Sequence, residues 1–139
     1  MKKILSLILV CLLLPSMPAR ADGIAVYIDG TPVSFTENSG APFIENGRTL
    51  VPLRVTMEAF GASVDWEANT ETAIVRKDTT TVRCRIGEAC IYRNNVRVQN
   101  DAAAKIVAGR TYLPIRAVLE AFGATVSWDG AVRVAGGSA

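Results

Sequence analysis

Hydrophobic and polar positions divide the chain into an apolar leader and a longer region of short alternating segments. Residues 4–14 form an uncharged apolar run, and from residue 24 onward apolar residues recur with the periods of strands and helices. Short helices are predicted after Pro52 and after Pro114, because proline is favoured in the first turn of a helix. Strands are predicted at residues 24–28, 33–35, 42–45, 48–51, 62–67, 72–76, 80–86, 89–93, 96–98 and 131–134, with a further one around Val126 and Trp128. Strands that outnumber two short helices in this way indicate an α+β fold.

Local signals define the first helical unit. Asn46 and Gly47 are typical of a type I′ turn, which joins residues 42–45 to residues 48–51 as a hairpin. Leu53, Met57 and Phe60 follow at positions i, i+4 and i+7 and form one apolar stripe on the predicted helix. The sequence therefore predicts a hairpin, a helix and a strand in succession.

The same succession occurs twice. Residues 47–67 read GRTLVPLRVTMEAFGASVDWE and residues 109–129 read GRTYLPIRAVLEAFGATVSWD, with 12 of 21 positions identical at an offset of 62. This self-similarity indicates an internal duplication, with units at about 24–78 and 79–135, the second helical motif beginning at Gly109. A unit of about 50 residues is marginal by itself, so we expect the two units to share one core.

The amino terminus has the layout of a secretory signal peptide. Lys2 and Lys3 precede the apolar run, and Ala19 and Ala21 stand at the −3 and −1 positions of a cleavage site after Ala21. The run of 11 residues is shorter than the ~20 residues that a membrane-spanning helix needs. We expect residues 1–21 to be removed, which leaves an exported chain without a stable membrane span; the alternative is a buried amino-terminal helix.

Removal of the leader changes the charge and leaves the lack of histidine unchanged. Lys2, Lys3 and Arg20 leave with it, so 12 of the 15 basic residues remain against 13 acidic ones, a net charge of −1. That balance gives no reason to expect nucleic acid as a partner. Without histidine the chain has no Ser-His-Asp triad, no HExxH zinc helix and no histidine-ligated copper.

Both motifs resemble a known family. Residues 46–54 (NGRTLVPLR), residues 58–62 (EAFGA), Val64 and Trp66, with their second copies up to Trp128, resemble the copper amine oxidase N-terminal-like domain, or stalk domain, of secreted and surface proteins of Gram-positive bacteria. The resemblance implies a domain over residues 22–135 and a short tail at 136–139. It also implies an antiparallel sheet with short helices and an accessory module without cofactor or metal. The copper chemistry of the namesake belongs to another domain, which needs histidine ligands.

Two pairs of charged residues recur at helical spacing. Arg54 and Glu58 lie four apart in the first helix, as do Arg116 and Glu120 in the second. One interpretation is a paired charged binding site in each repeat. The other, which we favour, is an ordinary i,i+4 ion pair on each helix. Two further arginines, at equivalent hairpin positions, are candidates to anchor each turn to a carboxylate: Arg48 and Arg110.

The two tryptophans occupy equivalent strand positions. Trp66 and Trp128 each follow a valine two residues earlier, which places the two side chains on the same face of a strand. We therefore expect both indoles in the core. The alternative is an exposed aromatic pair that stacks on sugars.

Two cysteines remain after the leader is removed. Cys84 and Cys90 flank a predicted turn, and a hairpin centred on Gly87 would place them opposite each other. Because an exported compartment permits disulfides, we expect a bridge between them. Two buried thiols or a redox pair are the alternatives.

The leading prediction is a non-catalytic, secreted or envelope-associated accessory module. Its partner would be a cell-wall polymer or an envelope protein, and the sequence does not specify an oligomeric state. The first alternative is a small cell-wall hydrolase that uses the carboxylates of Glu58, Asp65, Glu120 and Asp129. The second is a secreted enzyme inhibitor that acts through residues 37–41 or 101–105.

Overall fold

The computed structural model describes residues 23–136, in which 13 strands and two helices form. The predicted leader, its cleavage after Ala21 and residues 137–139 of the tail lie outside the described residues. None of the helices in the described part is long and apolar enough to cross a membrane. The fold is α+β and mostly antiparallel, as the sequence predicts.

The helices and most strands fall where the sequence predicts them. Helix α1 spans Leu53–Ala59 and helix α2 spans Ile115–Ala121, each directly after its proline. The strands are β1 Val26–Ile28, β2 Thr31–Pro32, β3 Phe43–Glu45, β4 Arg48–Pro52, β5 Ser63–Glu67, β6 Thr72–Lys77, β7 Thr80–Arg85, β8 Cys90–Arg93, β9 Val96–Gln99, β10 Lys105–Val107, β11 Arg110–Pro114, β12 Ala124–Trp128 and β13 Val132–Gly136.

The strands form three sheets rather than one. Their orders are β12-β13-β1-β2, β10-β11-β4-β3 and β5-β6-β7-β8-β9. The first and last strands pair in parallel, with Val26 beside Val132 and Ile28 beside Val134. A parallel pair needs a long connection, and here the connection is almost the whole described chain. The remaining strand pairs are antiparallel.

The central sheet joins the two repeats with a symmetric register. Strand β4 pairs with its counterpart β11, and Val51 lies beside Leu113, the equivalent residue 62 positions later. On either side of this pair, Pro52 lies beside Tyr112 and Leu50 lies beside Pro114. Replacing both residues of one of these pairs by their counterparts 62 positions away gives the other pair. A local two-fold axis through the middle of the sheet therefore relates strand β4 to strand β11.

One hydrophobic core serves both repeats. Met57 of α1 and Leu119 of α2 are completely buried in the same cluster as Val51 and Leu113. The equivalent aromatics Phe60 and Phe122 meet with ring centroids 5.7 Å apart. The expectation that the two units share one core is met by these contacts.

The two cysteines are buried in the five-stranded sheet as free thiols. Strand β7 pairs with β8 so that Val82 lies beside Arg93 and Arg83 beside Tyr92. Continued toward the turn, this register sets Cys84 opposite a neighbour of Cys90 and not opposite Cys90 itself. The hairpin is thus not centred on Gly87, and the disulfide stays a prediction.

Candidate functional site

Two of the grooves on the surface of the described residues are lined partly by residues of the central strands β4 and β11. The larger groove encloses about 950 Å³, and the smaller one about 720 Å³. Both volumes fall within the range of small-molecule and cofactor sites. The smaller groove is lined by Asn38, Ser39, Pro52, Leu53, Arg54, Val55, Glu58, Trp66, Ile106, Gly109, Arg110 and Thr111.

Every residue of the smaller groove has its counterpart in the larger one. All twelve lining positions, moved by 62 along the chain, are lining positions of the larger groove, and nine of the twelve residue types are identical. Each groove combines the hairpin of one repeat with the helix and tryptophan strand of the other. The crossing follows from the β4–β11 pairing, which places each hairpin next to the opposite helix.

The tryptophans lie in these grooves and not in the core. Trp66 is 39% exposed in the smaller groove and Trp128 is 51% exposed in the larger one. The expectation of buried indoles is therefore wrong, although Val64 and Val126 on the same strand faces are buried. Val64 and Val126 belong to the hydrophobic core cluster, whereas the tryptophans two residues later lie beyond it.

The two charged pairs form as i,i+4 ion pairs beside the tryptophans. Arg54 Nη1 lies 3.3 Å from Glu58 Oε2, and Arg116 Nη1 lies 3.0 Å from Glu120 Oε2. All four side chains are about half exposed, so each pair contributes little to stability. Arg116 also donates a hydrogen bond of 2.7 Å to the carbonyl oxygen of Val126, which ties α2 to β12. The structure thus brings an arginine, a glutamate and a tryptophan together in each groove.

The hairpin arginines hold the loop that borders each groove. Arg48 Nε donates to Asp101 Oδ1 at 2.7 Å, and its Nη2 donates to the second carboxylate oxygen. This hydrogen bonding lowers the pKa of the Asp101 carboxyl from its ordinary value. Arg110 instead donates to the backbone carbonyls of Glu37 and of Asn38, the latter at 3.0 Å. Anchoring to a carboxylate therefore occurs at Arg48 and is replaced by carbonyl bonding at Arg110.

The carboxylates proposed for hydrolysis are each paired with an arginine. Besides the two helix pairs, Asp65 contacts Arg76 at 2.8 Å and Asp129 contacts Arg133 at 2.9 Å. Glycoside hydrolysis needs one carboxyl group kept protonated, normally by an apolar environment. Here each of the four carboxylates is half exposed and lies beside a guanidinium group, which is a different environment.

Copper does not fit the residues present. The chain contains no histidine, and within residues 23–136 no group of three or more cysteine, aspartate or glutamate side chains converges as a metal site. Copper sites in proteins are built largely from imidazole and sulfur ligands. The side chains that line the two grooves therefore suit an organic ligand better than a copper ion.

Sequence reasoning found the charged pairs and tryptophans but missed the opposite wall of each groove. That wall is a hairpin with an exposed isoleucine, Ile44 at 52% in the larger groove and Ile106 at 41% in the smaller one. The sequence does contain a signal for this wall, because β4 and β11 are equivalent strands of the two repeats. Two copies of the same central strand can pair symmetrically, and such pairing exchanges the hairpins between the repeats.

Comparison with known proteins agrees with the fold and the repeated motifs. No curated protein matches the chain significantly. A family model described as the copper amine oxidase N-terminal domain matches residues 27–135, which is most of the chain. In the copper amine oxidases that domain is non-catalytic. The chain belongs to the copper amine oxidase N-terminal domain family.

Proposed function

We propose that this protein is an exported, non-catalytic binding module of the cell envelope. The observation that carries the proposal is the family match over residues 27–135, because it occupies nearly all of the described residues 23–136. A domain that is non-catalytic in the oxidases thus accounts for almost the entire described fold. The signal-peptide pattern of residues 1–21 supports export.

A duplicated origin supports a binding role. The offset of 62 in the sequence and the exchange of equivalent residues between the grooves are both explained if one ancestral unit was duplicated. Two equivalent grooves on one chain suit the capture of a repeating polymer, because linked sites add avidity without any new contact. A cell-wall polymer is the partner class that this arrangement favours, and an envelope protein is the other.

The two alternatives receive less support from the contacts. A hydrolase would rely on carboxylates that are all exposed and paired with arginine. An inhibitor would rely on a protruding loop, whereas residues 37–41 and 101–105 are tied down by Arg110 and Arg48. We therefore retain the binding module as the proposed function.

The test is export followed by binding to purified walls. The full chain is produced in a Gram-positive host, and the mass of the exported protein is measured to locate the cleavage site. The purified protein is then sedimented with wall sacculi, and reducing ends released into the supernatant are quantified. We expect a chain that begins at Asp22, sediments with the walls and releases no more reducing ends than a buffer control.

Two results would overturn the proposal. One is protein that stays inside the cell with residues 1–21 attached. The other is dissolution of the sacculi by wild-type protein, with the activity abolished by Glu58→Gln or Glu120→Gln.

A further inference from the structure

We infer that the two grooves are equivalent binding sites for a glycan chain that carries carboxylate groups. The inference rests on the proposed binding function and names its ligand class. It is tested by measurements of ligand binding in the grooves, which do not depend on whether the protein is exported.

The first argument is the apolar surface of each groove. Trp128 and Ile44 face the larger groove with about half of their surface exposed, and Trp66 with Ile106 repeats this pairing in the smaller groove. Each groove leaves two large apolar side chains exposed to water, and burial of those side chains would stabilise the protein or a complex. A flat indole face against a second apolar wall matches the C–H faces of a sugar ring.

The second argument is the hydrogen-bond donor and acceptor that lie in each groove together with the indole. A sugar hydroxyl both donates and accepts hydrogen bonds. In the larger groove Arg116 is a donor and Glu120 an acceptor, only 3.0 Å apart and half exposed. Arg54 and Glu58 supply the same combination in the smaller groove. An extended apolar peptide would make no use of these pairs, whereas adjacent hydroxyls on one ring would bond to both members.

The third argument is an arginine in each groove that lacks an acidic partner, although the two arginines stand at different positions of the repeat. Arg93 in the larger groove donates to the carbonyl oxygen of Ala121 at 2.6 Å, and Arg110 in the smaller groove donates to backbone carbonyls. Among the described residues neither guanidinium lies within ion-pair distance of a carboxylate. A carboxylate on the ligand would form the charge-assisted hydrogen bonds that the protein itself leaves unmade.

The repetition of the grooves supports a polymer as the occupant. A ligand with one sugar unit would need one site, whereas a chain of similar units can occupy both sites of one molecule or link two molecules. Two sources supply such chemistry, a polymer of uronic acids and the glycan strand of peptidoglycan with its muramic carboxylates. Binding measurements with both polymers distinguish these sources.

The test uses the tryptophans as reporters. The chain has only two, so Trp66→Phe leaves Trp128 as the sole indole, and Trp128→Phe leaves Trp66. Each variant is titrated with oligouronate, peptide-free peptidoglycan strands, neutral chitohexaose and poly-glutamate. We expect a fluorescence change in both variants with at least one acidic glycan, at an affinity about tenfold above that for chitohexaose or poly-glutamate.

Variants separate the grooves from the rest of the surface. Trp128→Ala with Trp66→Ala should weaken acidic-glycan binding at least about tenfold, as for the loss of central aromatic anchors. Two changes on the exposed strand β9, Val96→Ala and Arg97→Gln, serve as matched controls outside both grooves and should leave binding unchanged.

The possible outcomes are distinct. If chitohexaose binds as tightly as the acidic glycans, the carboxylate requirement is wrong. If poly-glutamate binds as tightly as the acidic glycans, the glycan is the wrong ligand class and an acidic protein is indicated as the partner. No fluorescence change with any probe overturns the inference, even if the protein sediments with walls, in which case the proposed function survives. Failure to sediment with walls counts against the proposed function, whatever the titration gives.

Discussion

Thr56 and Val118 occupy equivalent places in the two helices, and only the threonine carries a hydroxyl. Both side chains are fully buried, and Thr56 Oγ1 has no hydrogen-bond partner. A buried hydroxyl without a partner costs about 1–3 kcal/mol. Thr56→Val has nearly the same shape, so we expect the free energy of unfolding to rise by about 1 kcal/mol, measured by urea denaturation.

The second copy supplies the control. Val118→Thr introduces the same hydroxyl into the equivalent site, and we expect it to lower the free energy of unfolding by about 1–2 kcal/mol. A loss of stability in both variants would show that the Thr56 hydroxyl has a partner after all.

The buried thiol of Cys84 should lower the free energy of unfolding at alkaline pH. Burial, with a smaller contribution from nearby Cys90, raises the pKa of its thiol from 9.0 to about 12. Above pH 9 the unfolded chain ionises this thiol while the folded chain keeps it protonated, so the free energy of unfolding falls as pH rises. Between pH 8 and pH 10.5 the thiol should cost about 2 kcal/mol.

Urea denaturation in the presence of a reductant measures that cost. The wild-type protein should lose stability over this pH range by about 2 kcal/mol more than Cys84→Ala, because only the wild-type protein carries the buried thiol. Equal losses would contradict a buried, protonated Cys84. Repetition without reductant also tests the predicted disulfide, since a bridge to Cys90 would abolish the difference and lower the mass by two hydrogens.

The two hairpins differ at one turn residue. Asn46 and Gly47 have φ values of 54° and 76°, and Ala108 and Gly109 have 52° and 78°. Asparagine tolerates the left-handed region better than alanine. Ala108→Asn should therefore raise the free energy of unfolding by about 0.5–1 kcal/mol, measured by thermal or urea denaturation.

The first hairpin provides the reciprocal variant. Asn46→Ala should destabilise the protein by a similar amount. If both substitutions change stability in the same direction, the two turns do not share one conformation.

The elements that the sequence predicts well are those with local signals. Asn46-Gly47 specifies its hairpin, and the Leu53, Met57 and Phe60 stripe specifies α1, since these side chains are all buried. The strand β10 before Gly109 has a weaker local signal than its counterpart β3, because Ala108 replaces the asparagine of the turn. The expected strand at 33–35 is instead β2, Thr31–Pro32. The parallel pairing of β1 with β13 has no local signal, because its partners are more than 100 residues apart.

The core that the two repeats share predicts a single unfolding transition for the protein. Phe60 meets Phe122 and Val51 pairs with Leu113, so neither repeat retains its buried surface without the other. The Trp66→Phe and Trp128→Phe variants report each half separately. We expect their fluorescence transitions in urea to coincide with loss of circular dichroism. Separate midpoints for the two probes would mean that the repeats fold independently.

The composition of the grooves lies largely beyond prediction from one sequence. Arg54, Glu58 and Trp66 were found by their repetition, since an offset of 62 marks them in both copies. The opposite wall comes from the other repeat, and its place depends on the register of β4 against β11. Alternation also misjudged the tryptophans, because the period of a strand shows which face a side chain occupies and not how far along the strand the core extends.

Our proposal assigns two equivalent binding grooves to one chain and gives neither groove a catalytic role. Isothermal titration calorimetry of the protein with an acidic oligosaccharide, too short to span both grooves, tests it most directly. We predict two sites per chain of similar affinity, one site per chain after Trp128→Ala, and an oligosaccharide recovered intact. One site in the wild-type protein, a stoichiometry that Trp128→Ala leaves unchanged, or a cleaved oligosaccharide would contradict the account.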